Sequence, residues 1–178
     1  MIREGNQPNG VLFLERGIVA MQTTTDAGNC HTLHLFKLHS FFPLTWALNQ
    51  TENQYQFVAV TQVSVRAAPM RHVTAWLKKE PLVLLDLSQR LLSALSGVMQ
   101  QVETLMSGSA GERIEATLRM LALRFGKPQP DGSTLIDLKL SHQDIALLAG
   151  VSRETVTREL KKLIQVDKLK KNKFFWLN

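Results

Sequence analysis

Leu140-Ser141-His142-Gln143-Asp144-Ile145-Ala146-Leu147-Leu148-Ala149-Gly150-Val151-Ser152-Arg153-Glu154-Thr155-Val156-Thr157-Arg158 is the stretch that decides the reading of this chain. Ser141 has the character of a helix N-cap, and Asp144 stands at the third helical position, where a carboxylate completes a capping pair. The helix runs to Ala149. Gly150 ends it, because a sharp turn needs a residue that tolerates positive φ. Ser152 caps a second helix, expected from Arg153 to about Ile164 with Val156, Leu160, Leu163 and Ile164 inward. Two short helices crossing steeply need a small residue at the contact, which Ala146 supplies, and an apolar anchor in the second helix, which Val156 supplies. The outward face then carries Arg153, Glu154, Thr157 and Arg158. An Arg on such a face can bond guanine O6 and N7, and a Glu can accept from cytosine N4.

Helix pairs with a turn glycine also occur in proteins that bind nothing, so the flanks matter. Downstream come Lys161, Lys162, Lys168, Lys170, Lys171 and Lys173. The tail from Lys168 to Leu177 reads as two short strands around a turn near Asn172. Such a hairpin is the wing of a winged helix, with basic residues placed to touch phosphate. The net charge of +6 is uneven: residues 1–110 hold 8 Lys/Arg against 7 Asp/Glu, and residues 111–178 hold 13 against 8. That asymmetry points to a polyanionic partner for the C-terminal part.

Upstream of the motif, Ile114, Leu118, Leu121, Ala122 and Phe125 share one helix face, and Gly126 stops that helix. Residues 127–132 form a loop, and Leu135 to Leu140 alternates as a short strand. Ser107-Gly108-Ser109-Ala110-Gly111 reads as a hinge of small residues. Before it, from Val83 to Met106, apolar residues recur every seven positions. Leu84, Leu91, Val98 and Leu105 form one row, Leu85, Leu92, Met99 and Met106 a second, and Ser88, Leu95 and Val102 a third. The implied helix is about 35 Å long. Its stripe is wider than a two-row seam, so one edge can pack on its own domain while the other meets a second copy. Leu84, Leu91, Leu95, Val98, Val102 and Leu105 are the expected dimer contacts, because the helix is long for so small a domain.

The first part of the chain reads as short strands: Gly10–Leu14, Ile18–Thr23, Cys30–Leu38, Phe57–Val60 and Val63–Ala67. Spacing of this kind suggests a small β-roll or barrel. Phe41, Phe42 and Trp46 read as its core. The expected fold is therefore α+β, with a β-roll at residues 1–82, a long dimerisation helix at 83–107 and a winged helix-turn-helix at 108–178.

The 140–158 stretch closely resembles the DNA-reading element of the cyclic-AMP receptor protein/FNR superfamily. Ser152-Arg153-Glu154-Thr155-Val156, with Arg158 two further on, carries that likeness, and residues 2–17 resemble the family's early β-roll segment. The long helix sits where that family has its dimerisation helix. The resemblance implies a transcription regulator acting in the cytoplasm. Arg153 and Arg158 would bond guanines and Glu154 a cytosine, on palindromic half-sites resembling TGTGA. Ser141, His142, Gln143, Ser152 and Thr155, with Lys171 and Lys173 of the wing, would hold phosphates. Double-stranded DNA, a second copy of the chain, RNA polymerase and an unidentified small-molecule effector are the implied partners. The family pattern also has a helix and at least a strand ahead of residue 2, so either the start is shortened or the β-roll is incomplete.

Other functions find less support. The family's cyclic-nucleotide pocket uses a Gly-Glu pair and an Arg-Ser pair. Here Phe41-Phe42-Pro43-Leu44 and Asn53-Gln54-Tyr55-Gln56 stand at those places with neither carboxylate nor arginine. A cyclic phosphate needs a cation or a cluster of amides, so cyclic AMP is not the expected effector. Thr104 and Ser107 of the long helix are candidates for polar groups near a pocket. Cys30, His31, His34 and His39 invite a metal or haem reading, but strand alternation splits them between two faces, and no metal is expected. One cysteine cannot form an intrachain disulfide or hold an iron–sulfur cluster, and no cofactor is implied. No nucleophile–base pair, metal motif or phosphate loop marks an enzyme. Residues 1–5 open no secretion signal, and the uninterrupted apolar runs fall short of a membrane span. A winged helix that binds protein rather than specific DNA is the alternative reading.

Overall fold

The computed structural model describes residues 2–6, 9–26, 28–171 and 175–177, with the side chains of residues 100, 101, 104, 105, 107, 171 and 176 outside that description. Several sequence expectations fall there: the turn near Asn172, Lys173, and the side chains of Leu105 and Lys171. So do the side chains of Thr104 and Ser107. The chain divides into two compact units, residues 1–96 and 97–178.

In the first unit, β1 (Gly10–Arg16) is the organising strand. Its Val-Leu-Phe-Leu run is apolar on both faces because both faces are covered. Leu14 joins Phe42, Phe57 and Val19 in one core, with Leu12 packed against it. Val11 points the other way, into a second cluster with Leu44 and Ala47. β2 (Val19–Thr24), β3 (Cys30–Phe36) and β5 (Gln56–Ala59) make one sheet in the order β3-β2-β5. β4 (Phe41–Phe42) and β6 (Ser64–Pro69) flank β1 in the other. All described pairings are antiparallel, as a β-roll requires.

Several local expectations need correction. Phe42 is fully buried and Trp46 packs on the core, but Phe41 is exposed. Neighbouring strand residues face opposite sides, so both could not enter one core. Strand β3 ends at Phe36 rather than Leu38. Two helices were missed: α1 (Leu44–Asn49), too short to show a period, and α2 (Met70–Lys79). In α2, Met70, Val73 and Leu77 keep helical spacing and turn inward. The β-branched Val73 and Thr74 and the aromatic Trp76 masked it.

The long helix α3 (Pro81–Ser107) has 27 residues, about 40 Å at the usual rise. It starts two residues earlier than Val83, with Pro81 in the first turn, where a missing N–H costs nothing. Val83 and Leu87 are partly buried, and Leu87 packs on the Val11 cluster. Apart from the half-buried Ser88, the described members of the three rows are open: exposure runs from 47% at Leu91 to 84% at Met106. One expectation about this helix changes. Pro81–Met99 is long and apolar enough, by length and composition, to cross a membrane, although it carries Asp86 and Arg90. Those two form an ion pair at 2.8 Å.

The second unit holds α4 (Ala110–Phe125), α5 (His142–Ala149) and α6 (Arg153–Gln165) with a four-stranded antiparallel sheet in the order β7-β8-β10-β9. Its strands are β7 (Gly126–Pro128), β8 (Thr134–Ile136), β9 (Leu169–Lys171) and β10 (Phe175–Leu177). The core draws Ile114, Leu118 and Leu121 from α4, Ile145, Ala146 and Leu148 from α5, and Val156 and Leu160 from α6. The sheet adds Ile136, Leu169 and Phe175. The expected strand at 135–140 is only Thr134–Ile136, and Ile164 is exposed where an inward position was expected. The expected hinge shrinks to Gly108 and Ser109. Ser109 Oγ accepts from the Glu112 amide at 3.3 Å, and Glu112 Oε2 accepts from the Ser109 amide at 2.6 Å, which draws Ala110 and Gly111 into α4.

Candidate nucleic-acid interface

The helix pair is fixed at both starts and at the turn. At α5, Ser141 Oγ accepts from the Asp144 amide at 3.2 Å, and Asp144 Oδ2 accepts from the Ser141 amide at 2.7 Å and from its hydroxyl at 2.6 Å. This reciprocal pair satisfies amides that a helix start leaves without partners. At α6, Ser152 Oγ accepts from the Thr155 amide at 3.2 Å. Between them, Gly150 adopts φ 62° and ψ 42° and donates its amide to the Ala146 carbonyl. The turn therefore uses the left-handed region that glycine enters without a Cβ penalty. Ala146 is buried, and its methyl leaves room for the crossing of α5 and α6.

With Val156 and Leu160 buried below, the opposite side of α6 is open. Arg153, Glu154, Thr157, Arg158 and Lys161 line one shallow hollow there. The base-reading candidates Arg153, Glu154 and Arg158 thus share a face with one further cation. Lys161 entered the sequence reading only as part of a basic run. Its spacing of seven from Glu154 and four from Thr157 placed it on that face. The Glu154 carboxyl is held below its usual range by its own backbone amide, then by the Ser152 hydroxyl. It is therefore an anion at neutral pH, fit to accept from an amino group.

The phosphate candidates fall into two groups. Ser141, His142 and Gln143 open α5, while Ser152 and Thr155 open α6. Helix starts carry unpaired amides and a positive dipole end, the usual chemistry for phosphate. The hydroxyls of Ser141 and Ser152 are engaged in caps, so these residues serve helix geometry as well. His142 Nδ1 meets Thr157 Oγ1 at 2.8 Å, which brings the start of α5 to the open face of α6. In the wing, β9 pairs with β10 through Leu169–Leu177, Lys170–Trp176 and Lys171–Phe175. Lys168 lies 3.5 Å from Glu115 of α4, an ion pair that ties the approach to the wing back to the helical core.

In the first unit, Asn53 is buried. Its side-chain amide donates to the carbonyls of Arg3, at 3.1 Å, and Tyr55, and its Oδ1 accepts from the Tyr55 amide at 3.3 Å. Trp46 meets Tyr55 edge-on at 5.4 Å. These contacts engage Asn53 and Tyr55, in one of the two segments that the resemblance set against the family's nucleotide-binding residues. His34 packs edge-on against Phe36, and His39 stacks on Phe13.

Comparison with known proteins agrees with this geometry. Residues 112–174 match the Crp-like helix-turn-helix domain. The global nitrogen regulator of Nostoc sp. is 37% identical, over 93% of this chain and 77% of that protein. The global nitrogen regulator of Synechocystis sp. is 36% identical, over 88% and 70%. The c-di-GMP responsive global regulator CLP of Xanthomonas campestris superposes with a TM-score of 0.78 at 21% identity, covering 99% of this chain and 88% of that one, a likeness of fold. With a β-roll, a long helix and a winged helix-turn-helix in this order, the chain belongs to the CRP/FNR superfamily of DNA-binding transcription regulators.

Proposed function

We propose that the protein is a homodimer that binds palindromic DNA with TGTGA-like half-sites and reads them through α6. The hollow formed by Arg153, Glu154, Thr157, Arg158 and Lys161 carries this reading. It places two guanidinium forks and a carboxylate on one exposed helix face, the chemistry that reads G·C pairs in the major groove. Ser141, His142, Gln143, Ser152 and Thr155 hold phosphates from the two helix starts, and Lys171 and Lys173 do so from the wing.

Dimerisation runs through α3, with Leu84, Leu91, Leu95, Val98, Val102 and Leu105 at the seam. The exposed rows support this: a lone helix with so many open leucines needs a partner. The same rows fit a second copy better than a lipid bilayer, because the family acts on DNA in the cytoplasm. Functionally the chain divides into a β-roll at 1–82, the dimer helix at 83–107 and the DNA-binding domain at 108–178. An effector other than cyclic AMP acts, where there is one, on the β-roll and through α3. RNA polymerase is the partner at promoters, and the related global nitrogen regulators make nitrogen-metabolism genes the first targets to examine. No enzymatic activity is proposed.

The alternative is a winged helix that binds protein. Equilibrium DNA binding across a salt series separates the two. The regulator loses affinity steeply as salt rises, because phosphate contacts release counterions. Weak binding that is indifferent to salt would favour the protein-binding module.

A further inference from the structure

Arg158 does not stand alone on the reading helix. Glu159 Oε1 accepts from Arg158 Nε at 3.2 Å and from Lys162 Nζ at 2.9 Å. The Glu159 side chain is only 14% exposed, against 65% for Arg158 and 62% for Lys162. The carboxylate thus sits at the root of two outward cations. The bonds from Lys162, then from Arg158, hold its carboxyl below the ordinary range, so it is charged at neutral pH.

Its other oxygen has a seat. A Cβ on Gly111, in the first turn of α4, would stand 3.3 Å from Glu159 Oε2. Glycine at 111 leaves the carboxylate room, and the α4 start presents it with the positive end of a helix dipole. Glu159 is therefore wedged between α4 and two cations of α6.

The bond to Glu159 does not withdraw Arg158 from the open face, since Arg158 still lines the hollow with Arg153, Glu154, Thr157 and Lys161. It engages Nε, which leaves the two terminal nitrogens for the paired contact that arginine makes with guanine O6 and N7. A long side chain loses rotamer freedom when it docks, and holding it beforehand reduces that loss.

We propose that Glu159, seated against Gly111, is a positioning residue that presets the Arg158 guanidinium for base reading. This rests on the assignment of Arg158 as a base reader. It also gives α4 a direct contact to a reading side chain, since whatever moves the first turn of α4 moves the seat of Glu159.

The test uses the full-length chain, a duplex recovered by selection from random DNA, and all single-base-pair variants of that duplex. Glu159→Leu should lower discrimination at the one base pair read by Arg158 by about tenfold, within the range such a contact supplies. Discrimination at the pairs read by Arg153 and Glu154 should stay unchanged. Affinity for unrelated DNA should hold or rise, because an anion near phosphate has gone. Glu159→Gln, whose Oε1 still accepts from Arg158 Nε, should restore most of the discrimination. Gly111→Ala should shift it in the same direction as Glu159→Leu, by less. The double variant Arg158→Ala/Glu159→Leu should match Arg158→Ala alone, as coupled groups do.

A uniform loss of affinity for every duplex in Glu159→Leu would show a merely structural role and overturn the proposal. So would unchanged discrimination in Glu159→Leu when Arg158→Ala has lost it at one base pair. If Arg158→Ala itself keeps full discrimination at every pair, the base-reading assignment falls first, and this proposal with it.

Discussion

His142 Nδ1 and Thr157 Oγ1 lie 2.8 Å apart, joining the first residue of α5 to the outward face of α6. The Thr157 hydroxyl donates its one proton to the Arg153 carbonyl at 2.9 Å. His142 Nδ1 is therefore the donor to Thr157. Buried packing brings the two helices together, and this bond fixes one against the other beside the open face of α6. Thr157→Val removes the acceptor at nearly constant shape. It should cost about 1 kcal/mol, the net worth of a hydrogen bond, and weaken binding to all DNA sequences alike. Urea unfolding and equilibrium binding check this. An unchanged midpoint would contradict it.

The turn should be sensitive to its backbone. Gly150 holds φ 62°, a conformation that a Cβ disfavours. Gly150→Ala should destabilise the protein by about 1 kcal/mol, while Gly150→Asn should cost less because Asn tolerates the left-handed region. Denaturant midpoints of the two variants give the order directly. Alanine proving as stable as glycine would contradict the account.

The helix-turn-helix was legible because its signals are local. Two N-cap serines, a small residue at the crossing and a turn glycine each act within four positions of their partners. The capping box Ser109-Ala110-Gly111-Glu112 was equally readable, yet small residues suggested a hinge instead. Other features depend on tertiary partners. Phe41 and Phe42 look alike in sequence, and only pairing with β1 decides which one turns inward. Helix α2 owes its place to the cluster it covers rather than to propensity. Glu159 gave no signal, because its role depends on the distant Gly111.

The open rows of α3 predict an oligomer that charge will break. Leu95→Glu together with Val98→Glu sets two carboxylates in the proposed seam, where they cannot be paired. The dimer dissociation constant should rise at least about 100-fold, equivalent to roughly 2.7 kcal/mol. Sedimentation across a concentration series reads this. Wild-type protein that stays monomeric at every concentration would remove the dimer from the account.

Acid should loosen the second unit. The Ser109 amide, then its hydroxyl, holds the Glu112 carboxyl below its usual range, and the Ser133 hydroxyl, then its amide, does the same for Asp131. Their folded pKa values lie below the unfolded ones. Their stabilisation is therefore full above the ordinary carboxylate pKa of about 4 and is lost as pH falls through the folded values. The Tm should drop on acidification below about pH 5. Ser109→Ala should lower the Tm at neutral pH and make the acid decline shallower. A decline as steep as in wild type would show that the Ser109 hydroxyl does not contribute.

The reading face makes a sequence-level prediction. Arg153→Ala and Arg158→Ala should each relax preference at one base pair, by about 1–3 kcal/mol, without abolishing DNA binding. Lys161 points into the same hollow. If it contacts phosphate there, Lys161→Ala should weaken all sequences together and reduce the salt slope by about one unit. Competition binding with single-base-pair variants separates the two behaviours.

The most direct test is selection of bound sequences from a random pool of double-stranded DNA by the wild-type chain. The expected product is a palindrome of TGTGA-like half-sites whose centres lie about one helical turn apart. Recovery of no palindromic consensus would contradict it.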